Sequence, residues 1–228
     1  MEVIVLAGGF GTRLQSVVSD VPKPMADIGG KPFLEYLMSR LAHGGAARFV
    51  LSVGYKAQVI VDYFGSSFLG IPVEYEIESV PLQTGGAVRR ALTSCYGDHA
   101  LVCNGDTYIE LNIASVEECW QDNRSSVIVG VDVPDMSRYG MLRVKGELVV
   151  GFGEKKGAGP GLINAGCYVL SADALDHFEL DKAFSLESEY LLPEAVAHRL
   201  HLFRTSGMFI DIGIPDDYEK AKRLLTHL

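Results

Sequence analysis

Short apolar runs alternate with amphipathic stretches along the first half of the chain. Phe33, Leu37 and Leu41 recur at helical spacing, with Pro32 before them and Gly44 after them as start and stop signals. An alternation of strands and helices is typical of a parallel sheet covered on both faces. The predicted elements are strands at 3–6, 49–53, 73–77 and 100–103, and helices near 33–41, 58–64 and 87–92.

The second half of the chain is less regular. A hairpin is predicted where two apolar runs, 140–144 and 148–152, flank Lys145-Gly146-Glu147. A glycine-rich link at 157–161 follows, and no internal repeat is visible. We therefore expect one α/β domain over 1–228, three-layered, with a mixed and mostly parallel sheet. The remaining predictions are strands at 127–133, 162–170, 202–205 and 208–210, and helices near 187–198 and from 215 onward.

Composition limits the classes of protein that fit this pattern. Of 228 residues, 48% are hydrophobic, and the net charge of −9 would repel a nucleic-acid backbone. No apolar run approaches the roughly 20 residues of a membrane span, and the start lacks a secretory signal. The four scattered cysteines are expected to be buried free thiols. We expect a cytoplasmic protein with no nucleic-acid partner and no membrane span, and the sequence leaves a homo-oligomer open.

A glycine-rich turn follows the first strand and predicts a phosphate-binding loop. Glycines let the backbone approach an anion, and Thr12 and Arg13 add a hydroxyl and a cation. No Gly-Lys-Ser/Thr follows, and Leu14 stands where a dinucleotide fingerprint has its third glycine. The alternative is a tight turn with an exposed arginine. The residues predicted to bind nucleotide here are Leu6, Ala7, Gly8, Gly9, Gly11 and Thr12.

A second cation lies ten residues further on. Lys23 stands between Pro22 and Pro24, and the two prolines restrict the backbone and so fix the direction of the lysine. A lysine aimed at the glycine turn makes sense if that turn binds a triphosphate. The alternative for such a motif alone is a rigid turn with a solvated lysine.

Four segments together resemble the sugar-1-phosphate nucleotidyltransferases: 6–14, 22–25, 30–34 and 211–215. The resemblance covers nearly the whole chain and implies a Rossmann-like fold of the nucleotide-diphospho-sugar transferase type. It implies transfer of a nucleotide from a nucleoside triphosphate to a sugar 1-phosphate, with release of pyrophosphate. Among family members, those acting on D-glycero-α-D-manno-heptose 1-phosphate are the most similar and those acting on mannose 1-phosphate come next.

The resemblance also implies a magnesium ion and the residues around the triphosphate. Arg13 and Lys23 would stabilise the charge of the reacting phosphates. Asp106, in the Asn104-Gly105-Asp106 segment, and Asp211 would bind Mg²⁺, which favours one or two carboxylates together with phosphate oxygens and water. The alternatives are an Asn-Gly-Asp turn and an aspartate that merely precedes the last helix. Asn104 and Gly105 join the predicted nucleotide-binding residues.

The base is expected to be guanine. By resemblance, the segment containing Glu78, Thr84 and Gly85 reads the base, and a carboxylate at Glu78 would accept from the N1–H and 2-amino groups of guanine. This favours GTP, with a uridylyl- or thymidylyltransferase as the alternative. Another possibility is that Glu78 ends an edge strand in solvent. Gln83 stands where the family usually has glycine.

Two other classes of protein fit these residues less well. Glycine spacing excludes a nicotinamide-dependent dehydrogenase, and a noncatalytic nucleotide-sensing protein would not need two metal carboxylates and two cations. We therefore expect an enzyme whose partners are GTP and a sugar 1-phosphate. The resemblance assigns three segments to the sugar phosphate: Arg138-Tyr139-Gly140, Glu154-Lys155 and Asn164-Ala165-Gly166. The residues expected to contact it are Tyr139, Gly140, Glu154, Lys155 and Asn164.

Overall fold

The structure, a computed structural model, describes residues 1–14, 17–153 and 159–227. Short 3-10 turns cover Thr12–Leu14 and Lys23–Met25, and a π-helical turn covers Leu186–Leu191. The helices are α1 (Phe33–His43), α2 (Ala57–Phe64), α3 (Gln83–Leu92), α4 (Ile113–Asn123), α5 (Leu192–Val196) and α6 (Pro215–Leu225). The strands are β1 (Glu2–Leu6), β2 (Asp27–Ile28), β3 (Lys31–Pro32), β4 (Arg48–Val53), β5 (Ser67–Phe68), β6 (Ile71–Ile77), β7 (His99–Asn104), β8 (Thr107–Ile109), β9 (Val127–Val133), β10 (Leu142–Lys145), β11 (Leu148–Phe152), β12 (Gly161–Ser171), β13 (Leu200–Thr205) and β14 (Phe209–Asp211).

Within the described residues, ten strands form one mixed sheet in the order β10-β11-β13-β9-β12-β7-β1-β4-β6-β5. β1 lies between β7 and β4 and is parallel to both, and β6 continues the parallel half. β12 runs antiparallel to β7 and β9, so the direction changes in the middle of the sheet. The predicted α/β class with a mixed sheet is confirmed.

Two core clusters lie on opposite faces of this sheet. Alternate residues of the central strands point to opposite sides, as the strand period requires: Val3 and Val5 pack with α1, α2 and α4, whereas Ile4 packs with α3 and α5. The arrangement is the predicted three-layer sandwich. A third cluster, including Leu14, Ile28 and Ile210, packs α6 beside the small β8–β14 sheet.

Most predicted elements are found, with four differences. The structure adds α4 and four short strands: β2, β3, β5 and β8. The helix predicted near 187–198 is a π-helical turn followed by the short α5. The strand predicted at 208–210 is β14, one residue later. The glycine-rich link at 157–161 lies partly outside the described residues.

The structure can be compared with two further expectations, one about membrane-spanning segments and one about the cysteines. Among the described residues, no helix has the length and apolar character required to cross a lipid bilayer. All four cysteines are free thiols. Cys103 and Cys167 are buried as expected, but the expectation is wrong for Cys95 and Cys119, which are only half-buried.

Candidate active site

Two adjoining cavities open at the carboxyl ends of β1 and β7, the sheet edge where α/β proteins bind ligands. The first, the nucleotide-side cavity, has a volume of about 420 Å³ and is lined by the glycine turn. The second, the sugar-side cavity, has a volume of about 280 Å³ and lies toward β12. Leu6, Arg13, Thr84 and Asn104 line both cavities, so the two form one continuous cleft.

The glycine turn is shaped by its contact with Lys23. Gly11 has φ +60°, and a Cβ there would lie 2.6 Å from the Cβ of Lys23, so any other residue would be both strained and obstructed. Arg13 is exposed and forms no ion pair with a described carboxylate. Its guanidinium is therefore available to a ligand. All the residues of this turn that were predicted to bind nucleotide line the nucleotide-side cavity: Leu6, Ala7, Gly8, Gly9, Gly11 and Thr12.

Lys23 is only 9% exposed and lies between the two predicted metal carboxylates. Its Nζ donates to Oδ2 of Asp106 over 2.6 Å and lies 3.9 Å from Oδ1 of Asp211. The pairing of β8 with β14 explains this convergence, because Asp211 stands opposite Thr107, the residue after Asp106. Residues far apart in the chain thus form one charged cluster.

The electrostatics of the cluster favour an added cation. Burial raises the pKa of the Asp211 carboxyl, the nearby Asp106 carboxylate raises it further, and Lys23 partly opposes both. The described residues contain no group of three or more metal-ligating side chains. Two adjacent carboxylates suit an ion that takes one or two of them and completes its shell with phosphate and water, as Mg²⁺ does.

Glu78 is half-buried beside the glycine turn rather than free in solvent. Its Oε1 accepts from the Ser52 hydroxyl and its Oε2 from the Leu82 backbone N–H, each over 3.0 Å. Each carboxylate oxygen has a second lone pair, so the group can still accept from a ligand in the nucleotide-side cavity that it lines.

The start of α3 brings the next predicted residues to the cleft. Gln83 has φ +56°, the left-handed region that favours glycine, which explains the glycine that the family usually has there. Thr84 lines both cavities. Gly85 is buried and lines neither cavity; its backbone N–H donates to the carbonyl of Phe184 over 2.9 Å.

The end of β7 contributes Asn104 and Gly105. Asn104 lines both cavities. Gly105 lines neither, and its N–H donates to the Leu6 carbonyl over 2.9 Å, which holds the ends of β1 and β7 together. Gly85 and Gly105 are thus packed against the site rather than open to it.

Three of the residues assigned to the sugar phosphate line the sugar-side cavity: Tyr139, Gly140 and Asn164. The Tyr139 ring packs edge-on against Phe209 at 5.7 Å, and burial raises its pKa to about 12, so the ring packs and stays neutral. Asn164 donates to the Tyr168 hydroxyl over 2.9 Å. The other two residues of this prediction, Glu154 and Lys155, lie outside the described residues.

Arg138 belongs to a segment that the resemblance assigns to the sugar phosphate, and it lines the sugar-side cavity. It forms an ion pair with Asp217 at the start of α6 and lies over the Tyr139 ring. Sequence reasoning missed Tyr168 and Glu187, which line this cavity as well. These two residues reach the cavity through the packing of β12 and the π-helical turn.

The family can now be stated. Residues 2–227 match the model of the nucleotidyl transferase family, and the chain belongs to that family, as the resemblance predicted.

Two guanylyltransferases of this family are similar to the chain along nearly their whole length. The chain is 37% identical over 228 residues to the D-glycero-α-D-manno-heptose 1-phosphate guanylyltransferase of Aneurinibacillus thermoaerophilus, covering 100% of this chain and 99% of that protein. It is 40% identical to the enzyme of the same name from Campylobacter jejuni, covering 96% of this chain and 97% of that protein. The crystal structure of HddC from Yersinia pseudotuberculosis superposes with a TM-score of 0.88 at 42% identity, covering 97% of this chain and 98% of that one; HddC is also known in complex with GMP-PN.

Proposed function

We propose that the protein transfers GMP from GTP to a sugar 1-phosphate, giving a GDP-sugar and pyrophosphate, with D-glycero-α-D-manno-heptose 1-phosphate as the preferred acceptor. The observation that carries the proposal is the continuous cleft, in which a glycine turn and a polar cavity meet at the Lys23–Asp106–Asp211 cluster. The names of the two full-length relatives support the nucleotide and the acceptor.

The chemistry needs positioning more than it needs a protein nucleophile. A phosphate oxygen of the sugar 1-phosphate attacks the α-phosphorus of GTP, and the bond to the departing pyrophosphate breaks. Arg13 and Lys23 would bind the triphosphate oxygens and offset the charge that accumulates there. Arg138, held by Asp217, is a cation for the phosphate of the sugar.

Magnesium is part of the proposal. Asp106 and Asp211 would hold the ion, whose contribution when bound is to neutralise phosphate charge and polarise the phosphorus–oxygen bonds. The ammonium of Lys23, already within 3.9 Å of both carboxylates, supports the fit of a positive charge there. Lys23 would then turn part of its hydrogen-bonding capacity to the triphosphate.

Guanine selection is assigned to Glu78. One carboxylate can accept from both adjacent N–H donors of guanine, whereas uracil and thymine present one N–H flanked by carbonyls that it would repel. The bonds from Ser52 and Leu82 fix the orientation of the carboxylate in advance. A cytoplasmic location completes the proposal, in keeping with the free state of all four cysteines.

A matrix of GTP, ATP, UTP and dTTP against heptose, mannose and glucose 1-phosphates tests the proposal by pyrophosphate release. GTP with the heptose 1-phosphate is expected to give the highest kcat/KM. Glu78→Gln should lower kcat/KM for GTP by about 10- to 100-fold, the cost of losing a charged acceptor, and leave UTP use nearly unchanged. Higher activity with mannose 1-phosphate would favour the mannose alternative, and a preference for UTP or dTTP would refute the choice of base.

A further inference from the structure

The sugar-side cavity contains a carboxylate to which the proposed reaction assigns no role. Glu187 lines this cavity together with Arg138, Asn164 and Tyr168. A Cβ at Gly140, which also lines the cavity, would lie 3.9 Å from Oε1 of Glu187. Among the described residues, no donor hydrogen-bonds to this carboxylate and no cation pairs with it. An acceptor with free lone pairs therefore faces the space that a sugar would occupy.

The turn that carries Glu187 is fixed by its own cap. The Ser185 hydroxyl accepts from the Ser188 N–H over 3.2 Å, and the Ser185 N–H donates to the Glu189 carboxylate over 2.8 Å. This reciprocal pairing resembles a capping box, with the glutamate one position later than usual. The π-helical turn that follows buries Leu186 and leaves Glu187 on the open side. Such turns are rare and frequently found at functional sites.

The same segment is also bonded to the nucleotide side of the cleft. The Thr84 hydroxyl accepts from the Leu186 backbone N–H over 3.1 Å. Next to it, the Gly85 N–H donates to Phe184, and a Cβ at Gly85 would lie only 2.2 Å from the Phe184 ring, so the close approach requires glycine. The residue before Glu187 is thus tied to a threonine that lines both cavities.

We propose that Glu187 binds hydroxyl groups of the sugar and selects among sugar 1-phosphates, and that Thr84 is a positioning residue that holds it from the nucleotide side. The inference rests on the proposed function, since it names the acceptor specificity of that site. A carboxylate accepts from two hydroxyls at once, and such charge-assisted bonds are strong and directional. A site built to bond a hydroxyl discriminates against sugars that lack it or point it elsewhere.

The Glu187→Gln variant tests the first part, because it keeps the size of the side chain and removes its charge. The KM for the best sugar 1-phosphate should rise about 10- to 100-fold, corresponding to one hydrogen bond to a charged group. The KM for GTP should stay within about twofold. Glu118→Gln on the exposed side of α4, far from the cleft, is the matched control and should leave both values unchanged.

Thr84→Val and Thr84→Ser test the positioning role. Valine keeps the branched shape but cannot accept from Leu186, so the KM for the sugar 1-phosphate should rise by about threefold to tenfold. Serine keeps the hydroxyl and should restore the KM to within about twofold of the original. A fall in kcat alone, or an equal loss in both variants, would overturn the positioning role.

A series of sugar 1-phosphates that each lack one hydroxyl tests the role of Glu187 even if a variant folds poorly. The unaltered enzyme should lose about tenfold or more in kcat/KM when the hydroxyl bound by Glu187 is missing from the sugar 1-phosphate. Glu187→Gln should lose nothing further with that same substrate. Additive losses, or an unchanged sugar KM in an active Glu187→Gln variant, would overturn the inference and leave the proposed function standing. An unaltered enzyme that releases no pyrophosphate with any pair of substrates would refute the proposed function itself.

Discussion

Lys23 illustrates how the site balances its charges residue by residue. A buried ammonium needs a hydrogen-bonded counter-charge, and Asp106 supplies it. Asp211 gains less, because its carboxylate is 3.9 Å from the same Nζ and also faces Asp106. The site therefore holds more negative charge than Lys23 alone offsets, and an added cation would offset the excess.

Replacing Asp211 with Asn should stabilise the folded protein while removing a proposed metal ligand. The pKa of Asp211 is raised in the folded state, so its negative charge destabilises the folded protein. This loss of stability develops as the pH rises from the ordinary carboxyl range through the raised pKa, and it is fully present at neutral pH. We expect a gain of about 1 kcal/mol in the free energy of unfolding at pH 7, and none below about pH 3.5. Urea unfolding at both pH values measures it.

Asp216→Asn is the control for this substitution. Asp216 is exposed in the first turn of α6, where a negative charge favours the helix. Its replacement should leave the stability unchanged or lower it slightly. An Asp211→Asn variant that is less stable than Asp216→Asn at pH 7 would contradict the account of the charged cluster.

Gln83→Gly should also stabilise the fold. A non-glycine residue in the left-handed region costs about 1–2 kcal/mol, and Gln83 lies in that region. Glycine removes this strain, but it also gives the unfolded chain more conformational freedom, which cancels part of the gain in stability. We expect a net gain of about 0.5–1 kcal/mol in denaturant unfolding. Glu118→Gly, in the exposed middle of α4, should lose about 1 kcal/mol instead. Equal losses in the two variants would show that Gln83 is not strained.

At the scale of elements, sequence periodicity predicted the long strands and helices and missed the short ones. β8, which was missed, has three residues and exists because it pairs with β14, a strand that was predicted one residue early. A strand that short has too few positions for a period to be visible. α4 was missed although Ile113, Val116 and Trp120 repeat at helical spacing behind an Asn cap, so the signal for it was present.

The cap of α4 can be tested directly. The Asn112 side chain accepts from the Ser115 backbone N–H over 3.2 Å. Asn112→Ala should lower the free energy of unfolding by about 1 kcal/mol, the usual value of such a cap. Ser115→Ala retains the backbone donor and should change the stability much less, and denaturant titrations of both variants make the comparison. Equal losses would mean that the cap contributes little.

At the scale of the whole molecule, the sequence predicted which motifs meet but not everything that surrounds them. The glycine turn and Asp106 follow β1 and β7, Lys23 lies in the loop after the turn, and the β8–β14 pairing brings Asp211 to the same cluster. Glu187 reaches the same cleft through tertiary packing, which a local pattern does not encode. Its role could be inferred only with the cavity in view.

Ligand binding at this cleft should stabilise the whole fold. At concentrations about 100 times the dissociation constant, GTP with Mg²⁺ should add about 2.7 kcal/mol to the stability of the folded state. In a domain of this size that corresponds to a rise in Tm of roughly 5–11 °C. Thermal unfolding with GTP, Mg²⁺ and both together measures it. Asp106→Asn should abolish the part that depends on magnesium, and an undiminished magnesium effect would contradict its assignment as a ligand.

The β8–β14 pairing has a consequence for the order in which the protein becomes competent. The glycine turn and Lys23 belong to the first strand–loop region, whereas Asp211 belongs to the last strand before α6. The ribosome therefore synthesises the glycine turn and Lys23 long before it synthesises Asp211. Chains fold as they emerge, so a nascent polypeptide would stay chemically silent until its closing helix packs against Leu14 and Ile28.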